Sequence, residues 1–307
     1  MLSFILRRVF WAIPTIFIIT TLSFFLIRLA PGTPFDTDRP MPPEIRANMM
    51  AAYGLDKPMM QQYVTYLGKV VHGDFGPSFK NKDFTVTQLI GQGFPVSLKV
   101  GGTAMLLAVV LGLALGIIAA LRQNSAVDYS VMTLAMTGIA VPNFVIAPLM
   151  TLFFGIYLKW LPVAGWNGGA LKNMVLPVIA MALPYVAYIA RMTRGSMIEV
   201  LRSNYIRTAR AKGLPMRHIL FHHALKAAIM PVVSFMGPAT AGIITGSVVI
   251  ETIFELPGIG RYFIQGALNR DYTLVMGVVI FYAVLIIALN LLVDIIYAQL
   301  DPRVRYQ

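Results

Sequence analysis

Six long apolar runs, a low charged fraction and a lopsided distribution of basic residues predict an all-α polytopic membrane protein with six transmembrane helices. Of 307 residues, 57% are hydrophobic and 12% charged, whereas soluble domains carry about 25% charged residues. Residues 9–27, 100–121, 131–158, 171–190, 228–250 and 272–298 are each predominantly apolar, and a bilayer core takes about 20 residues of helix. Inside lipid a chain must satisfy its own backbone groups, so runs of this length are helices.

The first span follows Arg7 and Arg8. Its apolar run exceeds the core of about 7–15 residues found in cleaved signal peptides, and the small residue at its exit, Ala30, directly precedes Pro31. Residues 31–95 are too polar to cross a bilayer. Asp56, Lys57 and Pro58 form a helix start, and Met59, Met60, Tyr63, Val64, Leu67, Val70 and Val71 recur at helical spacing until Gly73. A further helix is expected from Pro43 and Glu44 to just before Gly54. These residues predict a small helical cap. Five spans follow, forming one membrane domain. They contain Pro142, Pro148, Pro177, Pro184, Pro231 and Pro238, together with Gly237, Gly242 and Gly246. Such residues serve close helix packing or a mobile path through the bundle, and the sequence leaves both open. The absence of an internal repeat argues against inverted-repeat carriers.

Basic residues set the topology. Six spans place both termini on one side, and that side collects 13 Lys and Arg: Arg7, Arg8, Arg122, eight between Arg191 and Lys226, Arg303 and Arg305. The short loops of the other side hold 4, namely Lys159, Lys172, Arg261 and Arg270. The termini are therefore expected inside. The net charge of +12 then faces anionic lipid. No basic stripe is interleaved with aromatics in a polar domain, so no nucleic-acid partner is expected. There is no cysteine, hence no disulfide or thiolate metal site.

The loop 191–226 is the most distinctive polar element. Within it Arg207, Thr208, Ala209, Arg210, Ala211, Lys212 and Gly213 form a cationic, small-residue segment. Ala209 and Gly213 are spaced as i and i+4, so a partner is expected to approach the backbone on that face. Gly213 is expected to end the helix in the left-handed conformation, and Pro215 blocks its continuation. The product is a stiff peg about 14 Å long, a docking element for a cytoplasmic partner. Other chemistry finds little support. A phosphate-binding loop of the form GxxxxGKS/T is absent, so any ATP step belongs to another chain. His218 and His222 have helical ligand spacing beside His223, yet the HExxH glutamate is missing and the loop is cationic. Gly195 and Ser196 lack a nucleophile frame. Asn290 and Asp294 lie one turn apart near the inner end of span 6, where an interhelical hydrogen bond or a salt bridge, with Arg303 and Arg305 close in sequence, is favoured over a proton relay.

Ordered strings along nearly the whole chain carry a resemblance: FILRR (4–8), RLAPG (28–32), YGLDKP (53–58), HGDFGPSF (72–79), RGSMIEVL (194–201), YIRTARAKGL (205–214), HALKAAIMPV (223–232), ETIFELPGIGR (251–261), LNRDYTLV (268–275) and DPRVR (301–305). In this order they resemble the inner-membrane permease subunits of peptide-importing ABC transporters, in particular the oligopeptide branch. The resemblance implies a type I ABC importer permease fold, in a bacterial inner membrane. It also implies a second homologous permease subunit, two ATP-binding subunits and a periplasmic peptide-binding protein as partners. ATP and Mg would then be bound by the partner subunits, with no cofactor, metal or catalytic residue in this chain.

The family's loop before span 5 carries an EAA-type coupling motif. Here Arg207 and Thr208 occupy its glutamate and first alanine positions, Ala209 and Gly213 match, and Lys226 stands at the late proline. No glutamate contact is carried over. The implied division is 1–30 for the N-terminus and helix 1, 31–95 for the cap, 96–300 for the membrane domain and 301–307 for the tail. The cap and the loop with Glu251, Pro257, Gly258 and Gly260 are the expected outer docking and gating surfaces. Dipeptide and nickel permeases are the alternatives within the family; an ion-coupled carrier and an intramembrane enzyme are those outside it.

Overall fold

The computed structural model describes residues 2–29, 35, 42–81, 83–245 and 247–300. Gly246, Lys82, most of residues 30–41 and the tail 301–307 with Arg303 and Arg305 lie outside these. Regular structure among the described residues is helical, apart from one isolated bridge between Pro77 and Thr85.

Helix α1 (Leu2–Leu29) is 28 residues long, about 42 Å, which exceeds a hydrocarbon core of about 30 Å. The polar segment after it folds into α2 (Pro43–Ala52) and α3 (Met59–Val71), as the Pro starts and Gly stops predict. Helix α3 packs on α1 through aromatic rings: Phe24 and Phe25 lie 5.4 and 5.2 Å from Tyr63. The Tyr63 hydroxyl pairs with Thr21 Oγ1 at 2.7 Å. Helix α4 (Val86–Leu121) starts well before the expected span at residue 100. A capping box fixes that start. Thr85 Oγ1 accepts from the Gln88 N–H at 3.2 Å, and Gln88 Oε1 accepts from the Thr85 N–H at 2.9 Å. Its first turns bury Val86, Leu89 and Ile90 against Ile259, Leu274 and Val278.

The third span is not one helix. It consists of α5 (Ala126–Ala140) and α6 (Asn143–Met150), the latter continuing as a π-helix over Thr151–Tyr157. The two halves meet at 102°. Pro142 has no N–H to donate and forces Val141 into an extended conformation at φ −91° and ψ 119°. Helix α7 (Leu171–Leu201) runs beyond its expected end at residue 190, so Arg191 and Arg194 are helical. After it come α8 (Asn204–Ala211), α9 (Met216–His218), a π-helical stretch Ile219–Ala224, and α10 (Leu225–Ala228). The last group is α11 (Met230–Thr245), α12 (Val248–Ile253), α13 (Ile259–Leu268) and α14 (Tyr272–Leu300). Among the described residues five stretches are long and apolar enough to cross a membrane: Ile5–Leu29, α4, α7, Met230–Ile253 and Tyr272–Tyr297. The bent α5–α6 pair passes the same test together and makes a sixth if its halves form one span.

The core lies where α4, α7 and α11 meet, with Val100, Ala104, Ala108, Met181, Ile189 and Ile244 buried. Glycine makes the α4–α7 approach possible. A Cβ on Gly116 would stand 2.6 Å from both the Ala190 carbonyl oxygen and Thr193 Cβ. Gly116→Leu is therefore expected to push the two backbones apart, with a cost of about 1–3 kcal/mol or more. A lower SDS-unfolding free energy of the purified chain checks this.

Candidate coupling and gating sites

Helix α8 carries the predicted peg. Gly213 adopts φ +75° one residue beyond Lys212, which caps α8, and its N–H donates to the Arg210 carbonyl at 2.9 Å. A Cβ there would meet nothing within 4 Å, so backbone conformation alone demands glycine. Gly213→Val is expected to cost about 1–2 kcal/mol through the left-handed backbone. Local hydrogen exchange should quicken over residues 204–214 while the membrane helices keep their protection.

The orientation of the peg corrects one expectation. Ala209 does not share an outer face with Gly213: it is buried beside Ile206, and both pack against Met197, Ile219, Leu220 and Ala224. Ile206 and Ala209 are spaced i and i+3, which puts them on one side of a short helix, and burying isoleucine sets which side faces in. The outward face instead presents Tyr205, Arg207, Thr208, Arg210, Ala211, Lys212 and Gly213. It is a cationic ridge seated on an apolar socket. His218, at the end of α9, and His222 and His223, on the π-helical turn, follow it. The first two rings stack in parallel, 4.2 Å apart at 12°, and no metal-binding group of three occurs among the described residues.

Next to this loop is a pair that sequence reasoning missed. Asp128, 1% exposed at the start of α5, accepts from Arg194 Nε at 2.5 Å and Nη2 at 2.6 Å. It also accepts from the Asn124 N–H at 2.9 Å. The bidentate pair fixes the base of α5 to α7, three turns before the peg. One signal was available: Asp128 is the sole acidic residue between Asp83 and Glu199, and it sits three residues after the capping Ser125.

At the opposite end of the bundle Glu251, Gly258 and Gly260 do come together, but not as a surface. Glu251 is fully buried, and Gly258 and Gly260 are buried with it while Pro257 is half-buried. The Glu251 carboxyl group accepts from the hydroxyls of Ser97 and Ser247, each at 2.6 Å. It accepts further from the N–H groups of Gly260 at 2.8 Å and Arg261 at 3.3 Å. Ser97 Oγ in turn accepts from the Ile259 N–H at 2.9 Å. One acid thus caps α13 and ties it to α4 and α12, where the helix dipole favours an acidic group. Glycine is required because a Cβ on Gly258 would fall 2.3 Å from Glu251 Cδ, and one on Gly260 would fall 2.5 Å from Val248 Cα. The expectation of a docking surface at these residues is replaced by an internal tie. The exposed residues beside it are Thr252 and Glu255.

Asp271, another buried acid, fastens the segment after α3 to the corner between α13 and α14. It accepts from the Ser78 hydroxyl, from the Lys80 N–H at 3.2 Å and from the Leu274 N–H at 3.2 Å. Thr273 Oγ1 donates to the Pro77 carbonyl at 2.6 Å. Asp294 forms a salt bridge at 3.1 Å with Arg8 of α1, whereas the basic residues nearest in the downstream sequence, Arg303 and Arg305, lie outside the described residues. Asn290 lies one turn away, facing Gly237 of α11, where a Cβ would be 2.9 Å from its Oδ1. Midway between the ends, Asn143, Tyr185, Tyr188 and Phe235 line a groove of about 360 Å³ together with Pro184 and Pro238. Two helix-breaking prolines, from α7 and α11, therefore converge on one aromatic groove.

Comparison with known proteins agrees with this architecture. Residues 112–306 match the family described as binding-protein-dependent transport system inner membrane component, and residues 1–101 match the N-terminal part described for such membrane components. The chain is 60% identical over 306 residues to the oligopeptide transport system permease protein OppB of Salmonella typhimurium, covering 100% of both chains. It is 55% identical to OppB of Haemophilus influenzae, again over 100% of each. With the dipeptide transport system permease protein DppB of Bacillus subtilis it shares 46% identity, over 99% of this chain and 98% of the relative. Among solved structures, the inward-facing MetNI methionine ABC transporter superposes with a TM-score of 0.57 at 16% identity, over 70% of this chain and 97% of the other. That likeness concerns the fold, a type I importer permease. A helical bundle with five to six candidate spans and full-length relatives of this kind is a multi-pass membrane protein, and the chain belongs to the family of binding-protein-dependent transport system inner membrane components.

Proposed function

We propose that this chain is the permease subunit of an ATP-driven importer that takes up oligopeptides handed over by a binding protein. The observation that carries the reading is the full-length identity of 60% with OppB, joined to a cationic peg displayed at one end of a bundle whose sequence has no ATP-binding loop. In this reading the chain sits in a bacterial inner membrane with both termini and α8 in the cytoplasm, as the basic asymmetry supports. Residues 31–95 form the periplasmic cap, residues 96–300 the translocating domain and residues 301–307 the tail. A second homologous permease completes the path, two ATPase subunits supply hydrolysis and bind ATP and Mg, and a periplasmic protein delivers the peptide.

The ATPase groove receives the outward face of α8, chiefly Arg207, Thr208, Ala211 and Lys212. Ile206 and Ala209 hold the peg in its own chain so that push on α8 becomes movement of α7. The Asp128–Arg194 pair passes that movement to α5. The aromatic groove at Asn143, Tyr185 and Phe235 is the part of the path contributed by this chain, and the Glu251 tie keeps its outer rim in one piece. Reconstitution of the complex with labelled peptides of graded length tests the substrate class. Competition by tetra- and pentapeptides, with little by dipeptides, is expected. The reverse order would favour the dipeptide reading, to which the DppB relative points.

A further inference from the structure

A recess of about 170 Å³ lies between the outer end of α1, the helix α3 and the segment that follows it, and Arg28, Lys57, Gln62, Tyr66 and Lys69 are among its lining residues. It plays no part in the coupling or gating described above. Among the described residues, three polar atoms of its lining are buried without a hydrogen-bond partner: Arg28 Nε, Tyr66 Oη and Gln62 Oε1. Buried polar groups are nearly always paired, so three orphans in one recess point to a ligand. Its chemistry follows from the orphans. No acidic side chain among the described residues lines the recess, while one arginine and two lysines do. Burial pushes the Tyr66 phenol well above the usual tyrosine range, so at neutral pH it is a donor. These groups call for an oxyanion. Gln62 asks for something more: its Nε2 donates to the carbonyls of Leu55 at 3.2 Å and Lys57 at 2.7 Å, which leaves Oε1 an acceptor in need of a donor.

The position narrows the source. Tyr63 of α3 bonds to Thr21, which lies inside the apolar stretch Ile5–Leu29. Helix α3 therefore starts below the end of a membrane span. Its exposed side chains include Met60, Val64 and Val71, an apolar edge suited to lying in the membrane surface. Arg28 is in the last turn of α1 beside the exposed Leu26 and Leu29, at headgroup depth. Its guanidinium carbon is 5.3 Å from the Phe24 ring centre and 5.9 Å from that of Tyr272, which holds it in place without neutralising it.

We propose that this recess binds a phosphate group, that of a phospholipid headgroup carrying its own hydrogen-bond donor. The phosphate meets Arg28, Tyr66 and the two lysines, and the headgroup hydroxyl or ammonium meets Gln62 Oε1. That the leaflet is the outer one rests on the topology proposed above; the binding itself does not.

The test is a lipid titration of the purified, delipidated transporter complex read by native mass spectrometry. The lipids are phosphatidylglycerol, phosphatidylethanolamine and phosphatidylcholine, with inorganic phosphate followed by thermal shift as a separate arm. One high-affinity site preferring the first two lipids over phosphatidylcholine, whose choline has no donor, is expected. Arg28→Gln should weaken it about tenfold or more, the effect of losing one charge-assisted hydrogen bond. Tyr66→Phe removes a hydroxyl that bonds to nothing among the described residues, so it keeps the fold and should still weaken lipid retention several-fold. Lys172→Gln, an exposed cation on the first turn of α7, should change nothing. Equal retention by wild type and Tyr66→Phe, or equal affinity for all three lipids, would overturn the proposal. An Arg28-dependent shift with inorganic phosphate but no lipid preference would overturn the lipid as the source. Peptide uptake is not measured, so failure here is distinguishable from failure of the transport reading.

Discussion

Glu251→Ala is expected to lower the unfolding free energy of the permease by about 3 kcal/mol or more. The substitution leaves the hydroxyls of Ser97 and Ser247 and the N–H groups of Gly260 and Arg261 without their acceptor, and each buried group left unsatisfied costs about 1–3 kcal/mol. Ser97 and Ser247 retain partial partners, since Ser97 still accepts from Ile259 and Ser247 still donates to the Ile244 carbonyl at 2.8 Å, which keeps the figure near the lower bound. Glu251→Gln, with one oxygen preserved, should fall between wild type and alanine. SDS-unfolding midpoints of the three proteins in one detergent check the order. If alanine were as stable as wild type, the carboxyl group would not be what joins α4, α12 and α13.

Ala211→Trp should reduce ATP-driven uptake at least tenfold while leaving the chain's own stability within about 0.5 kcal/mol. Ala211 is exposed on the outer face of α8, so a large side chain there projects away from this chain, onto the face where the ATPase contact is proposed. Loss of one well-packed interface position of about 2 kcal/mol amounts to more than tenfold in affinity. Ala209→Trp should behave in the opposite way. Ala209 is 7% exposed among Ile219, Leu220 and Ala224, and tryptophan there would disrupt the socket and destabilise the loop before any partner binds. Measuring ATPase-subunit retention and unfolding for both variants separates the two. Equal loss of stability in both would mean that the peg is not oriented as described.

Much of this was legible from sequence because long apolar runs leave a membrane chain few options. The six spans, the cap helices and the left-handed Gly213 follow from run length, Pro starts and Gly stops. The failures have local physical causes. A broken span reads as continuous because Val141 and Pro142 are themselves apolar, although the proline sets the extended residue at which the two halves meet at 102°. Helix α7 overran its expected end because Arg191 and Arg194 end a hydrophobic run without ending a helix. The inward turn of Ala209 follows from its i, i+3 spacing with Ile206, the single isoleucine of α8, a cue that the small-residue spacing of Ala209 and Gly213 masks. The ties at Asp128–Arg194 and Ser97–Glu251 join residues 66 and 154 positions apart, and no local pattern announces such a partner. Glu251 was singled out, but as a surface residue: a glutamate at a span's end looks exposed until the glycines that fold a loop over it are seen in three dimensions.

The most direct test of the transport account is uptake of a labelled oligopeptide into proteoliposomes holding the assembled complex. Four conditions are compared: with and without ATP, and with and without the binding protein. The account predicts accumulation when both are present and none when either is missing, with the ATP-dependent uptake reduced at least tenfold in Ala211→Trp. Uptake driven by an ion gradient without ATP, or uptake unchanged by Ala211→Trp, would contradict it.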